Sequence, residues 1–270
     1  MSRVATLTAG VLAAAGSAAA HRVLTGQVRS RRWQRLNHAG NPVTLLEGPA
    51  YLTGAALGAA TSGPAGVVAV LGSGAFGALD DLAGDGASKG LKGHLGAAAH
   101  GRVTTGLVKV AGIGATGLVA AALADRQRPD VGAIDTVVGG ALVAGAANLA
   151  NLLDLRPGRA LKTTVLAALP LLLNDDGHAS ARAAAAAGGA ALGVLRPDLA
   201  GTAMLGDTGA NAAGALVGTA VLGVTGRRGR VLALAVLTAL TLASERVSFT
   251  KVIESTPVLR ELDAWGRPAR

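Results

Sequence analysis

Cysteine is absent from the 270 residues, which excludes disulfides, thiolate nucleophiles and cysteine-bound zinc. Aromatic residues make up only 2%, so the chain has no row of stacking platforms for nucleic acid despite its formal net charge of +9. Charged residues are scarce too, at 15% against about 25% in soluble domains. In their place stand 50% hydrophobic residues and 40 glycines, with a mean hydropathy of +0.46. The apolar residues come as long blocks between charged loops, the pattern of a polytopic membrane protein. Alanine and glycine dominate the blocks, as suits helices packed closely through small residues.

The blocks predict an all-α, polytopic transmembrane bundle forming one integral membrane domain over 1–270. About nine spans are expected, near 4–20, 49–61, 64–80, 107–124, 131–150, 160–173, 180–195, 209–225 and 230–247. The first could serve as a signal peptide, but a retained helix is the simpler reading when so many spans follow. Blocks 49–61 and 160–173 fall short of the ~20 residues a span needs, so they extend into polar flanks or re-enter. With the N-terminus outside, segments 21–48, 80–106, 151–162, 196–208 and 246–270 face the cytoplasm. They and their flanks hold every Lys and Arg except Arg3, Arg126, Arg128, Arg182, Arg227, Arg228 and Arg230. The Arg227–Arg230 turn runs against that rule.

Residues 249–270 read as a cytoplasmic interfacial tail. Thr256 suits an N-cap and Pro257 the first helical position. Val258, Leu259, Leu262 and Trp265 then share one face, with Arg260, Glu261 and Asp263 elsewhere. Such a helix lies on the inner leaflet with Trp265 as anchor, or packs on the protein as an ordinary amphipathic helix.

Chemistry-bearing residues gather at the helix ends expected to face the cytoplasm. Asp80 and Asp81 end an apolar run, where carboxylates can hold Mg²⁺ or take a proton. Lys89, Lys92, His94, His100 and Arg102 follow, cations suited to a diphosphate. Asn148, Asn151 and Asp154 recur at three-residue intervals on one helical face, and Arg156 and Arg159 flank the turn after them. Asp207 lies between Gly206 and Thr208-Gly209 at a helix start, where backbone N–H groups face any anion; Asp207 or Thr208 may equally cap that helix. Glu245–Arg246 ends the last span, as readily architectural as functional.

In Asp80-Asp81, Asn148-x-x-Asn151-x-x-Asp154 and Leu205-Gly206-Asp207-x-Gly209, in that order, the chain resembles the polyprenyl-phosphate sugar-1-phosphate transferases. That superfamily includes the phospho-MurNAc-pentapeptide translocases and the undecaprenyl-phosphate N-acetylglucosamine-1-phosphate transferases. The resemblance runs from about Asn37 to Arg246. It implies transfer of a sugar-1-phosphate from a nucleotide-sugar, UDP-linked, to undecaprenyl or decaprenyl phosphate on the cytoplasmic face of the cell membrane, for envelope glycan synthesis. It also implies Mg²⁺, replaceable by Mn²⁺, at Asp207 and Asp80, with Asp80, Asp81 and Asp207 catalytic. Asn148, Asn151, Asp154, Arg156, Arg159, Lys89, Lys92 and His94 would bind substrate. The expected partners are the lipid phosphate, the nucleotide-sugar and the membrane, with a homodimer left open. Two features depart from the family: Pro157 stands where a second acid is usual, and 245–254 contains no histidine cluster. The competing expectation is therefore a relative that binds polyprenyl phosphate, or scaffolds an assembly, without turnover. A small-solute transporter would show an internal repeat with broken helices, and the two halves show none.

Overall fold

Every predicted apolar block becomes a helix in the computed structural model, which describes residues 2–37, 40–83, 104–126, 128–173 and 179–268. The helices are α1 (Ser2–Gln27), α2 (Glu47–Ala59), α3 (Pro64–Ala83), α4 (Thr105–Asp125), α5 (Ala133–Leu153), α6 (Arg159–Leu172), α7 (Ala179–Leu199), α8 (Gly206–Val224) and α9 (Arg227–Ser244). Two short ones follow, α10 (Phe249–Ser255) and α11 (Pro257–Ala264). An antiparallel hairpin, β1 (Gln34–Leu36) and β2 (Pro42–Thr44), pairs Gln34 with Thr44 and Leu36 with Pro42. The all-α expectation holds apart from this hairpin. The calls on Lys89, Lys92, His94, His100 and Arg102 lie outside the described residues.

The count of nine spans is not reproduced. Four helices, Arg3–Gln27, Pro64–Ala83, Thr105–Asp125 and Ala133–Leu153, are long and apolar enough to cross a membrane, and α9 with α10 would make a fifth. The others fail for two physical reasons. Thirteen residues in α2 and fourteen in α6 rise only about 20 Å at 1.5 Å per residue, short of a hydrocarbon core of about 30 Å. Helices α7 and α8 have the length but not the hydropathy, because Ala, Gly, Thr and Asn replace the larger aliphatics.

Helix α8 compensates by burial. It packs against α2, α3, α4, α5, α6 and α7, and most of its residues, from Gly206 to Leu222, are buried. Small side chains let the backbones meet: a Cβ on Gly214 would lie 2.1 Å from the Ala146 carbonyl oxygen of α5. Larger apolar residues fill the space farther out, Tyr51, Leu161, Val194 and Leu216 on one side and Ile113, Leu142, Val143 and Leu222 on the other.

Successive helices alternate in direction, which gives the bundle two ends of different character. At one end the ion pairs are closed. Arg230 is fully buried and donates to both carboxylate oxygens of Asp125, at 2.8 and 2.6 Å, and to the Asp135 carbonyl at 3.0 Å. Arg227 pairs with Asp135 at 2.5 Å and Arg128 with Asp130 at 2.6 Å. The Arg227–Arg230 turn thus departs from the charge rule because Arg227 and Arg230 are neutralised within the fold. Removing one partner of a buried ion pair strands the other. Arg230→Ala should cost about 3–5 kcal/mol and Arg230→Met with Asp125→Leu should recover most of it, read as unfolding midpoints in detergent. Equal losses in the single and double variants would show that the pair is not what holds this end.

Candidate functional site

At the other end, the C-terminus of α3, the N-termini of α4 and α8, the C-termini of α5 and α7, and α10 come together. Segments near 80, 105, 154, 198 and 248 were expected to share one side, and the described parts of them do share this end.

Asp81 fixes the geometry. The N-terminus of α8 has unsatisfied N–H groups, and no residue of α8 caps it with its own side chain. Asp81 reaches across from α3 instead. Its Oδ1 accepts from the Asp207 N–H at 3.0 Å, and its Oδ2 accepts from the Thr208 N–H at 2.8 Å and the Thr208 hydroxyl at 2.6 Å. A carboxylate is well placed there, since the N-terminus of a helix is its positive pole. The expectation that Asp207 or Thr208 caps its own helix is corrected: the acid comes from another helix. Arg35 of the hairpin donates to the Asp81 carbonyl.

Two glycines make the approach possible. A Cβ on Gly77 would stand 2.2 Å from the Asp207 carbonyl oxygen. Gly206 has φ +59°, and a Cβ there would meet both Asp81 carboxylate oxygens at 3.0 Å. The 202–204 segment is held by the hairpin: Met204 donates to the Thr44 carbonyl at 3.0 Å, and Thr44 to that of Thr202 at 3.3 Å.

Freed from capping, the Asp207 carboxylate turns to Lys109 on α4, which also donates to Asp80 Oδ2 at 2.7 Å. Thr105 adds a side-chain hydrogen bond to Asp80. Asp80 and Asp207 therefore converge on one cationic head. Among the described residues no group of three acids or imidazoles could hold a metal ion. Two carboxylates would be the protein share of a Mg²⁺ site completed by phosphate oxygens and water, with the Lys109 ammonium, which holds that place here, moved onto a phosphate.

Behind this pair lies a second set of acids. Asp154, just past α5, and Asp198, in the last turn of α7, are buried, and the Gly158 N–H donates to Asp198 at 3.0 Å. Glu47, the first residue of α2, is fully enclosed, and neither of its carboxylate oxygens has a hydrogen-bond partner. Burial pushes Asp154 well above the usual carboxylate range, with Asp198 adding to it; Glu47 is raised by burial, then by Asp198 and Asp154. A cavity of about 660 Å³ opens beside Asp154 and Asp198 and is closed by Arg156, Met204, Lys251 and Glu254, within the size range of small-molecule sites.

The remaining expected residues find other partners. Asn148 donates to Thr241 of α9 at 3.2 Å, joining two helices, and Asn151 is half-buried on the last turn of α5. The expectation of phosphate-binding arginines is displaced. Arg159 is buried and grips Asp263 through Nε at 2.7 Å and Nη2 at 3.0 Å, with Nη1 on the Thr250 hydroxyl at 3.0 Å. Arg156 pairs with Glu254 at 2.8 Å. Both serve the C-terminal segment, which supplies acids exactly where the turn carries guanidiniums; Arg156 alone still reaches the cavity wall.

Lys109, Glu47 and Asp198 escape a search for motifs. A lone ammonium four residues into an apolar helix is itself the signal, because an ionisable group at that depth needs a partner. Glu47 carries the same signal in Leu45-Leu46-Glu47-Gly48.

A carboxyl raised on folding prefers its proton in the folded state. Its burden is absent at pH below the ordinary glutamate range and grows as pH rises toward the folded-state value. Glu47→Gln removes that titration. Its melting temperature relative to the parent should therefore increase from pH 5 to pH 8, measured in detergent; a difference that stays flat over that range would mean that Glu47 is held charged. In comparisons with known proteins, the chain matches no family model and no curated protein.

Proposed function

We propose that this chain transfers a sugar-1-phosphate from a nucleotide-sugar to a polyprenyl phosphate at a membrane surface, in a bundle whose remaining helices complete the span set and whose polar end faces the cytoplasm. The observation that carries the reading is the convergence of Asp80 and Asp207 on Lys109, at the end of candidate spanning helices. Paired acids beside an ammonium at that depth suit a diphosphate and its counter-cation, and suit little else in an apolar bundle.

In the proposed step, an oxygen of the lipid phosphate attacks the β-phosphorus of the donor. A new P–O–P linkage forms, the bond from that phosphorus to the α,β-bridging oxygen breaks, and the nucleoside monophosphate leaves with the electron pair. Phosphoryl transfer of this kind rests on positioning and charge stabilisation. Mg²⁺ held by Asp207 and Asp80 would supply charge neutralisation on the diphosphate. Lys109 would exchange a carboxylate contact for a phosphate oxygen, and Asp80 would orient the lipid phosphate, already largely ionised near pH 7. Asp81 positions Asp207 through the α8 N-terminus. Asn151 and Asp154 border the region assigned to the donor, and the cavity beside Asp154 accommodates its nucleoside.

A second reading, a polyprenyl-phosphate-binding relative without turnover, is favoured by one observation: Arg156 and Arg159 are engaged by Glu254 and Asp263 rather than directed at phosphates. The test that separates the two uses membranes containing the protein and polyprenyl phosphate, a panel of nucleotide-sugars, and release of nucleoside monophosphate as readout. Release is expected with one donor class. Asp207→Asn should lower it by about 10²-fold or more, with partial recovery at higher Mg²⁺, and Lys109→Met should raise KM as well as lower kcat. Binding of polyprenyl phosphate with no release from any donor would favour the second reading; full activity in Asp207→Asn would remove the proposed metal role.

A further inference from the structure

The C-terminal segment is attached to the protein along one edge only. Neither α10 nor α11 has a buried residue. The attached edge carries a row of polar contacts: Arg159 on Asp263 and Thr250, Arg156 on Glu254, and Arg267 on the Pro157 carbonyl at 2.8 Å. Lys162 closes the end of α11 by donating to the carbonyls of Leu262, Asp263 and Trp265 at 2.9, 2.6 and 3.1 Å, as cations do at helix C-termini. Arg159 and Arg267 together bring Asp263 below the usual carboxylate range, against the burial that would raise it.

The other edge is apolar and uncovered. Val258 (66%), Leu259 (43%), Leu262 (53%) and Trp265 (73%) are exposed along one side. The direction of this segment says what lies against it. Helix α9 packs on α5, a candidate span, and α10 leaves α9 at 93°. Helix α10 thus runs across that end of the bundle, in the plane where bilayer meets water, and α11 is tied to the same end by Arg159 on Asp263 and Lys162 on its last carbonyls. Of the three acids in 249–268, Glu254 and Asp263 are taken by ion pairs, and Arg260, two residues after Val258, lies on the side of α11 away from the apolar edge.

We propose that residues 249–268 form a strap seated on a phospholipid surface, with Val258, Leu259, Leu262 and Trp265 in the headgroup–acyl boundary. Amphipathic helices with an apolar face and an aromatic anchor lie in this way, about 5–10 Å deep. Because Ser248, Thr250, Lys251 and Glu254 also line the cavity, the bilayer becomes the support of one cavity wall. This inference needs only that the bundle is membrane-embedded and does not depend on the proposed transfer reaction.

The test uses the full chain with Trp33→Phe, which leaves Trp265 as its one tryptophan. The protein is reconstituted in phosphatidylcholine–phosphatidylglycerol bilayers carrying bromine near the ester or near the methyl end of the acyl chains. Trp265 emission should be blue-shifted, and quenched more by ester-end than by methyl-end bromine. In phosphatidylcholine alone the same pattern should hold. Leu262→Glu, at an exposed position, should abolish the quenching and leave the melting temperature unchanged. Emission typical of water with ready quenching by iodide in both bilayers would overturn the proposal. So would lipid-independent protection from iodide accompanied by disulfide-linked dimers of Trp265→Cys, since a second copy would then cover the edge.

Discussion

The contact on which this structure depends is a carboxylate placed on the end of another helix. Asp81 satisfies the first N–H groups of α8 from α3, and three consequences follow. The N-terminus of a nearly enclosed helix is capped without water. Asp207 is left free to point at Lys109. And α3 and α8 are locked in register at the level where Asp80 stands, so two acids distant in sequence share one ammonium. A charge-assisted bond of this kind is worth more than a neutral one. The adjacent pair Asp80-Asp81 is divided by it: Asp81 caps α8 and Asp80 faces Lys109.

The two ends of the bundle show how the same residue types serve different purposes. At the end holding Arg230, each buried acid has its arginine and the charges close on themselves. Among the described residues at the end holding Asp207, carboxylates outnumber the cations that reach them, and neither carboxylate oxygen of Glu47 has a hydrogen-bond partner. Folding energy alone would favour the first arrangement at both ends.

Much of the architecture is legible in the sequence, because apolar blocks and their end residues act locally: the helix over Pro257–Ala264 begins where Pro257 fixes its first position, while the Thr256 hydroxyl turns back to the Val252 carbonyl at 2.9 Å. Whether a block spans is less legible. Hydropathy reports what lipid would accept, whereas α8 is surrounded by protein. The hairpin is missed because Gln34–Leu36 and Pro42–Thr44 are too short for alternation to register, and its partner at 202–204 is distant. The acids of the site announce themselves by standing at the ends of apolar runs. Lys109 signals that it needs a partner by standing inside an apolar helix, but not which partner, until Asp80 and Asp207 are brought to it. Arg156 and Arg159 were assigned to phosphate because a sequence shows the charge of a turn but not the acids of a tail about 100 residues later that fold back over it.

The burial of α8 also bears on how the chain is made. A segment rich in Gly, Ala, Thr and Asn partitions poorly into lipid when it leaves the insertion machinery alone. Every helix that packs closely around it, α2 to α7, is earlier in the chain. By the time α8 is synthesised, its walls exist, and the groove between α3 and α5 can receive it from water as a protein interior rather than a lipid solvent would. Assembly then has a natural order, in which the helix carrying Asp207 enters after the walls that enclose it, and the acids at its mouth come together only when α2 to α7 are already standing.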